Sequence, residues 1–156
     1  NGTGGKNGGD VTFTDIARAA GVTNDRFAKA VTWGDYDGDG DPDLYVSCIG
    51  PNRLYRNDGG SFTDIAREAG LDHPYLPMGA NFGDLDNDGY LDFYLATGEL
   101  NFGTVVPNVI YRNNAGRVFQ DVTFSGGFGH TQKGHGIAFG DEKLLLRHLH
   151  FLAADT

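Results

Sequence analysis

The chain has 156 residues, and its hydrophobic content of 39% with 12% aromatic residues is enough to pack one domain, which excludes a disordered chain. Its formal net charge of −9 comes without a basic patch, which argues against a nucleic-acid partner, and no apolar run has the length of a membrane span. The single cysteine, Cys48, excludes an intramolecular disulfide and is interpreted as a small core residue.

A sequence repeat follows a polar start. Residues 1–10, NGTGGKNGGD, cannot bury apolar surface, so we expect a flexible lead-in there. Within residues 11–141, the segment VTFTDIARAAGV at 11–22 returns as GSFTDIAREAGL at 60–71 and as RVFQDVTFSGGF at 117–128. Three phenylalanines mark the register, because each stands 22 residues before an aspartate: Phe13 before Asp35, Phe62 before Asp84, and Phe119 before Asp141. Such a repeat indicates structural units that bury their faces against one another.

Each unit contains four short β-prone runs separated by turn residues. In the first unit the runs are AVTWGD (30–35), DLYVSC (43–48), RLYRN (53–57) and SFTDI (61–65). In the second unit they are MGANFGD (78–84), DFYLAT (92–97), VIYRNN (109–114) and VFQDV (118–122). The second run of each unit is apolar on both faces, which predicts sheets that are covered on both sides. The pattern predicts an all-β fold of four-stranded antiparallel β-propeller blades, with about two complete blades plus partial ones.

The segments IARAAGV and IAREAGL lie between the Phe-Thr-Asp runs and the next unit. Each contains a glycine, Gly21 or Gly70, at the position where a helix would end. We therefore expect one short helical turn in each segment.

Two acidic loops are the main chemical feature of the sequence. Residues 35–43 read DYDGDGDPD and residues 84–92 read DLDNDGYLD, and both fit the template D-x-D-x-D-G-x-x-D. Two unit charges about 4 Å apart repel by roughly 4 kcal/mol at an effective dielectric of about 20, so each loop needs a counter-charge. A hard divalent cation with oxygen ligands supplies it, and calcium is the best match.

The ligands are assigned by analogy with other aspartate-rich calcium loops. In the first loop they are the side chains of Asp35, Asp37, Asp39 and Asp43 and the backbone carbonyl of Asp41. In the second loop they are the side chains of Asp84, Asp86, Asp88 and Asp92 and the carbonyl of Tyr90. We expect Gly40 and Gly89 to let the backbone turn around the ion. The alternative is two solvated acidic turns that hold no metal.

The loops differ from an EF-hand. An EF-hand places glutamate at position 12, where this chain has Val46 and Leu95. Each loop also continues into a β-prone run, which predicts calcium loops that join strands. The nine loop aspartates equal the net charge in number, and two calcium ions would change the formal charge from −9 to −5.

The pattern W/F-G-D-x-D-x-D-G-x-x-D, followed by N-x-h-Y-R-N and F-T-D-h-A-x-x-A-G, resembles the FG-GAP/VCBS repeats. The sequence pattern is most similar to the repeats of ASPIC/UnbV-associated proteins and cartilage acidic protein, and the resemblance covers roughly residues 11–141. It implies calcium-binding propeller blades like those of integrin α heads, with roles in adhesion or ligand display. Both loops match the metal positions of the family, so the resemblance implies the same two calcium sites.

The third unit departs from the template. It begins with GHGIAFGD at residues 134–141, but the next residues, EKLLLRHLHFLAADT, lack the acidic loop. We expect residues 142–156 to be a divergent tail from a truncation or a frameshift. Two blades alone leave open faces, so we expect a homo-oligomer at the open blade edges. The contacts would use the leftover strands FTDI (13–16) at the start and GIAFGD (136–141) at the end. The histidines, His130, His135, His148 and His150, are interpreted as solvated or packed residues, with a transition-metal site as the alternative.

Three functions are compatible with these features. The first is a non-enzymatic, calcium-stabilised module for binding, adhesion or assembly, with a protein or glycan ligand that the sequence does not specify. The second is a fragment of a calcium-dependent propeller enzyme such as a polysaccharide lyase, which activity on acidic polysaccharides would reveal. The third is a structural subunit of a ring or filament. Calcium loops suit an extracellular or periplasmic location, where weak sites fill.

Overall fold

The computed structural model describes residues 12–98, 106–129, 131, 134 and 136–139. The predictions for the lead-in at 1–10 and the tail at 142–156 lie outside the described residues. So do those for Asp141 and the four histidines named above.

The described residues form one short helix and eight strands. The helix is α1 (Ala17–Ala20), and the strands are β1 (Ala28–Gly34), β2 (Asp43–Cys48), β3 (Arg53–Asp58), β4 (Ser61–Asp64), β5 (Pro77–Gly83), β6 (Asp92–Thr97), β7 (Val109–Asn114) and β8 (Val118–Asp121). They make two antiparallel sheets in the orders β1-β2-β3-β4 and β5-β6-β7-β8, here called the first and second sheets. The all-β prediction is confirmed, and the two open sheets fit partial propeller blades.

Turn chemistry explains the strand boundaries. Asn52 and Asn108 precede β3 and β7, and their Oδ1 atoms accept the backbone N–H groups of Cys48 and Thr97 at 3.0 and 2.9 Å. Each asparagine therefore closes the connection between the second and third strands of its sheet. The predicted helical turn at 16–21 is confirmed as α1, which ends at Gly21 with a φ of 87°.

The two sheets pack face to face, and the main core lies between them. The buried cluster draws on both sheets: Tyr36, Tyr45, Leu54, Ala66, Ala69, Leu71, Phe82, Phe93, Leu95, Val109, Tyr111 and Phe119. The rings of Tyr45 and Phe93 lie 4.1 Å apart between centroids. Gly34 allows the close approach, because a Cβ at this position would lie 2.7 Å from Cδ2 of Phe82.

The stacking continues into the third unit. Phe139 lies over Gly83 just as Phe82 lies over Gly34, and a side chain at either glycine would overlap the ring. The amide of Asn81 also donates to the carbonyl of Ile137 at 3.2 Å. Ile137 and Phe139 of the third unit therefore contact the second sheet, and Phe139 lies over Gly83 at the place equivalent to that of Phe82 over Gly34.

One expectation about the first unit is wrong, and a second is met in part. The Phe-Thr-Asp-Ile segment at 13–16 is not a strand, and Phe13 is 94% exposed. Its counterparts in β4 and β8 pair with β3 and β7, whereas the described residues offer this segment no such neighbour. The outer face of the first sheet is covered in part, because Val46, Cys48 and Tyr55 are buried there beside Val22. Trp33 on the same face is 57% exposed, whereas the equivalent Phe82 is 7% exposed. A second sheet covers Phe82, and nothing equivalent covers Trp33 among the described residues.

Among the described residues, no helix is both long and apolar enough to cross a membrane.

Candidate metal centre

The acidic loops occupy equivalent places in the two sheets. The first loop (residues 35–43) joins β1 to β2, and the second loop (residues 84–92) joins β5 to β6. In each loop the carboxylates at positions 1, 3 and 5 converge so that one oxygen of each lies within 4.8 Å of the others. The converging residues are Asp35, Asp37 and Asp39 in one loop and Asp84, Asp86 and Asp88 in the other.

The aspartates of the first loop also fold the loop. Asp35 Oδ1 accepts the N–H groups of Gly38 and Asp39 at 2.8 and 3.1 Å, and its Oδ2 accepts that of Gly40 at 3.0 Å. Asp39 Oδ1 accepts the N–H of Asp41 at 2.8 Å. Short aspartate side chains that bond to backbone groups a few residues later stabilise tight turns. These hydrogen bonds therefore determine the shape of the loop without a helix or a strand within it.

The second loop repeats this scheme. Asp84 Oδ2 accepts the N–H of Gly89 at 3.1 Å, and Asp88 Oδ1 accepts that of Tyr90 at 2.9 Å. Asp86 Oδ1 accepts the N–H of Asp88 at 3.2 Å. The two loops thus share the bond from the N–H of position 6 to position 1 and the bond from the N–H of position 7 to position 5.

Two positions in each loop adopt a left-handed backbone. Gly40 and Gly89 have φ values of 97° and 93°, which confirms the expected turn at position 6. Position 4 is also left-handed, with φ of 76° at Gly38 and 59° at Asn87. The left-handed backbone at position 4 was not predicted, although glycine and asparagine are the residues that tolerate this conformation best.

The predicted ligands at position 9 lie outside the three-carboxylate clusters. Asp43 is buried, and its oxygens accept the N–H groups of Tyr36 and Asn57 at 3.0 and 2.9 Å. Burial raises the pKa of Asp43 to about 6, although these hydrogen bonds oppose the shift. The structure therefore shows Asp43 as a tie between its loop and β3.

Asp92 holds the same place in the second loop. It is buried, and its oxygens accept the N–H groups of Leu85 and Asn113, both at 2.8 Å. Burial also raises its pKa. The roles of Asp43 and Asp92 as side-chain ligands, and of Asp41 and Tyr90 as carbonyl ligands, stay predictions. The carboxylate of Asp41 accepts the N–H of Gly59 at 2.8 Å and so ties the first loop to the β3–β4 turn.

The first cluster contains an unpaired buried oxygen. Asp37 Oδ1 is buried and has no hydrogen-bond partner within the protein. Burial, followed by the negative charge of Asp39, raises the pKa of Asp37. Buried polar atoms in folded proteins nearly always have a partner, and a cation held by the cluster would give this carboxylate oxygen one. Because the converging donors are all oxygens, the residues present fit a hard ion such as calcium.

The two clusters differ in their surroundings. In the second loop, Asp86 Oδ2 accepts the Nε–H of Arg112 at 2.7 Å, and all three clustered aspartates are exposed. In the first loop, Asp35 and Asp37 are half-buried, and the β7–β8 turn of the second sheet lies against Asp37. A Cβ added to Gly116 of that turn would lie 2.8 Å from the Asp37 Cα. The first cluster is therefore partly enclosed by the second sheet, whereas the second cluster is exposed and receives part of its counter-charge from Arg112.

The N-x-h-Y-R-N motif, noted above only as part of the repeat, has a structural role in both loops. Its last asparagine, Asn57 or Asn113, anchors a loop through its backbone N–H, which donates to Asp43 or Asp92. The side-chain amides also donate into the loops, Asn57 to the carbonyl of Pro42 at 3.0 Å and Asn113 to that of Leu91 at 3.0 Å. The recurrence of this asparagine in both repeats was the signal that could have revealed the role.

Comparison with known proteins agrees with the repeat structure. Residues 47–95 match the model of a family described as FG-GAP-like repeat. The matched segment runs from β2 through β5 and the second loop into β6. The predicted resemblance is confirmed for this segment. No curated protein matches the chain.

Proposed function

We propose that this chain, which carries an FG-GAP-like repeat at residues 47–95, is a calcium-binding, non-catalytic scaffold that presents rigid surfaces for binding, adhesion or assembly. An FG-GAP-like repeat suggests a propeller-like binding or adhesion module, and calcium is the finer part of the proposal. We further propose an extracellular or periplasmic location, because calcium loops of this kind fill where the ion is abundant.

The proposal is carried by the matched carboxylate clusters. Three aspartates converge at the same place in each sheet, and one oxygen of Asp37 is buried without a partner. Without a cation, burial and the negative charge of Asp39 disfavour the charged form of Asp37, whose raised pKa is consistent with that cost. Calcium would supply the missing positive charge and accept oxygen donors without demanding a strict geometry.

Each loop stands where an ion can brace a sheet. The cluster residues lie between β1 and β2 or between β5 and β6, and the loop is tied to the third strand through Asp43 or Asp92. An ion held by Asp35, Asp37 and Asp39 would therefore fix the loop relative to three strands of the first sheet. Calcium would supply charge neutralisation, and the hydrogen bonds of the protein itself hold each loop to its strands.

Calorimetric titration with calcium tests the proposal. We expect the unmodified chain to bind two calcium ions, and Asp37→Asn to weaken the first site while largely sparing the second. Asp72→Asn is the matched control, since it makes the same charge change outside both loops. Absence of calcium binding, or equal loss of binding in Asp37→Asn and Asp72→Asn, would contradict the proposal.

We also propose that a second copy of this chain covers the exposed face around Trp33. Phe82 and Phe119 of the second sheet pack against Gly34 of the first sheet and Tyr36 of the first loop. The equivalent residues of the first sheet, Trp33 and Phe62, contact each other edge to face with centroids 6.2 Å apart, and Trp33 remains exposed. The face is thus built like one that receives a neighbouring sheet.

An apolar cavity between the second sheet and residues 136–139 suits this contact. The cavity has a volume of about 310 Å³ and is lined by Leu85, Tyr94, Ile110, Phe128, Ile137 and Phe139, among others. Contact between the Trp33 face of one copy and this cavity of the next would be head-to-tail, which gives rings or open filaments.

A further inference from the structure

We propose that Asn113 is a positioning residue that couples the first and second loops. One side chain of the second sheet would then control calcium affinity in the first loop. The inference rests on the proposed calcium binding and adds a regulatory link between the two sites. It is drawn from a set of hydrogen bonds that reach both loops from a single residue.

Asn113 lies in β7 and is 1% exposed. Its side-chain amide donates to the carbonyl of Tyr36 at 2.7 Å and to the carbonyl of Leu91 at 3.0 Å. Its Oδ1 accepts the N–H of Gly116 at 2.9 Å. Tyr36 belongs to the first loop and Leu91 to the second, so the two amide hydrogens of one side chain connect the loops directly.

Tyr36 lies between two of the three converging aspartates of the first loop. It stands between Asp35 and Asp37, and its Cα lies about 3.8 Å from those of both neighbours because the peptide units are rigid. Its ring packs on Phe119 of the second sheet, with centroids 5.7 Å apart. Release of its carbonyl would therefore shift two of the three converging carboxylates together.

The second loop depends on the same residue. The backbone N–H of Asn113 donates to Asp92 Oδ1 at 2.8 Å, while the side chain holds the neighbouring carbonyl of Leu91. An ion that tightens either loop would thus adjust the position of Asn113 and, through it, the other loop. Contacts of this kind around a metal site commonly change affinity by about 10- to 100-fold when they are removed.

Asn57 is a matched control within the same chain. It is the equivalent residue of the first sheet, and its amide donates to the carbonyl of Pro42 at 3.0 Å while its Oδ1 accepts the N–H of Gly60 at 2.7 Å. These bonds reach the first loop and the turn of its own sheet. A comparison of Asn57 with Asn113 therefore isolates the bond between the sheets.

Calorimetric titration in single-site backgrounds tests the proposal. With the second loop disabled by Asp88→Asn, Asn113→Ala should lower first-loop calcium affinity by about 10-fold or more. With the first loop disabled by Asp39→Asn, Asn113→Ala should weaken the second loop, whereas Asn57→Ala should leave it unchanged. Unchanged first-loop affinity in a folded Asn113→Ala chain would overturn the inference. If the unmodified chain takes up no calcium, the proposed function fails first and this inference fails with it.

A second measurement covers the case in which Asn113→Ala does not fold. In the Asp88→Asn chain, the side-chain amide NMR signals of Asn113 should shift as calcium fills the first loop. The amide of Asn108, whose Oδ1 bonds to Thr97 in the second sheet, should stay in place and serves as the reference. If the Asn113 signals do not move while the first loop fills, the coupling is absent.

Discussion

The aspartates of each loop have two different structural roles. The aspartates at positions 1, 3 and 5 converge and remain at least partly accessible, whereas Asp43 and Asp92 at position 9 are buried and accept two backbone N–H groups each. A carboxylate offers two acceptor oxygens, and an asparagine amide offers one. The distinction predicts that charge-removing substitutions will have opposite effects at the two kinds of position.

Asp43→Asn should destabilise the metal-free protein. The amide group cannot accept both the Tyr36 and the Asn57 N–H, and a buried donor left without a partner costs about 1–3 kcal/mol of unfolding free energy. Urea unfolding in EGTA measures the cost without any contribution from metal. Asp39→Asn is the control, because its Oδ1 can still accept the Asp41 N–H while repulsion in the cluster falls. Equal destabilisation by the two substitutions would contradict the assigned roles.

At the scale of elements, the β-turns of the two sheets have the same local structure and different neighbours. Gly60 in the β3–β4 turn and Gly116 in the β7–β8 turn have φ values of 91° and 70°, and each N–H donates to the preceding Asn57 or Asn113. A Cβ at Gly60 would meet nothing within 4 Å, but one at Gly116 would meet the backbone of Asp37. The second turn is therefore also part of the contact between sheets.

Substitution of the two glycines should separate turn strain from contact between sheets. Gly60→Ala should cost about 1–2 kcal/mol, which is the price of a left-handed conformation for an alanine. Gly116→Ala should cost more and should also lower calcium affinity in the first loop, because the new Cβ would lie 2.8 Å from the Asp37 Cα. Chemical unfolding and calorimetry measure both effects. A Gly116→Ala protein as stable as Gly60→Ala would show that the turn can move away without cost.

At the scale of the whole molecule, two small sheets share one core, and the loops lie where the sheets meet. The first loop contributes Tyr36 to that core, and the second sheet contributes Phe119 and Asn113 around it. The shape of the loops and the stacking of the sheets should therefore change together when calcium is removed.

Removal of calcium should lower the melting temperature. A site occupied at 100 times its dissociation constant adds about 2.7 kcal/mol. For a chain of this size, that corresponds to a fall of roughly 5–10 °C for each emptied site. Thermal unfolding followed by circular dichroism with and without EGTA measures the shift. The double variant Asp37→Asn/Asp86→Asn should not respond to EGTA, and an unmodified chain that behaves like it would contradict the role of calcium.

Local features of the sequence predicted most of the fold. The features that the sequence did not predict depend on contacts between sheets or between strands. The turn residues between apolar runs placed eight strands within one or two residues of their observed ends, and the D-x-D-x-D spacing brought three carboxylates of each loop together. The bond from Asn113 to Tyr36 joins residues that are 77 positions apart, so no local pattern could indicate it. The error at residues 13–16 has the same origin, because a β-prone segment needs a neighbouring strand.

The exposed face around Trp33 gives a prediction about assembly. Trp33 is the only tryptophan of the chain and is 57% exposed, so its fluorescence reports directly on whether a second copy covers it. With rising protein concentration, we expect the emission to shift to shorter wavelength and the sedimentation coefficient to increase. Trp33→Gln should remain monomeric because it removes the largest apolar side chain of the face.

Ile49→Gln is the matched control for this experiment. Ile49 is also an exposed apolar residue, 48% accessible, but it lies in the β2–β3 connection. Its substitution should leave association unchanged, since a contact specific to the Trp33 face does not depend on general surface hydrophobicity. A chain that sediments as a monomer at every concentration with constant tryptophan emission would show that a second copy does not cover this face. Loss of association in both variants would instead indicate non-specific adhesion between apolar surfaces.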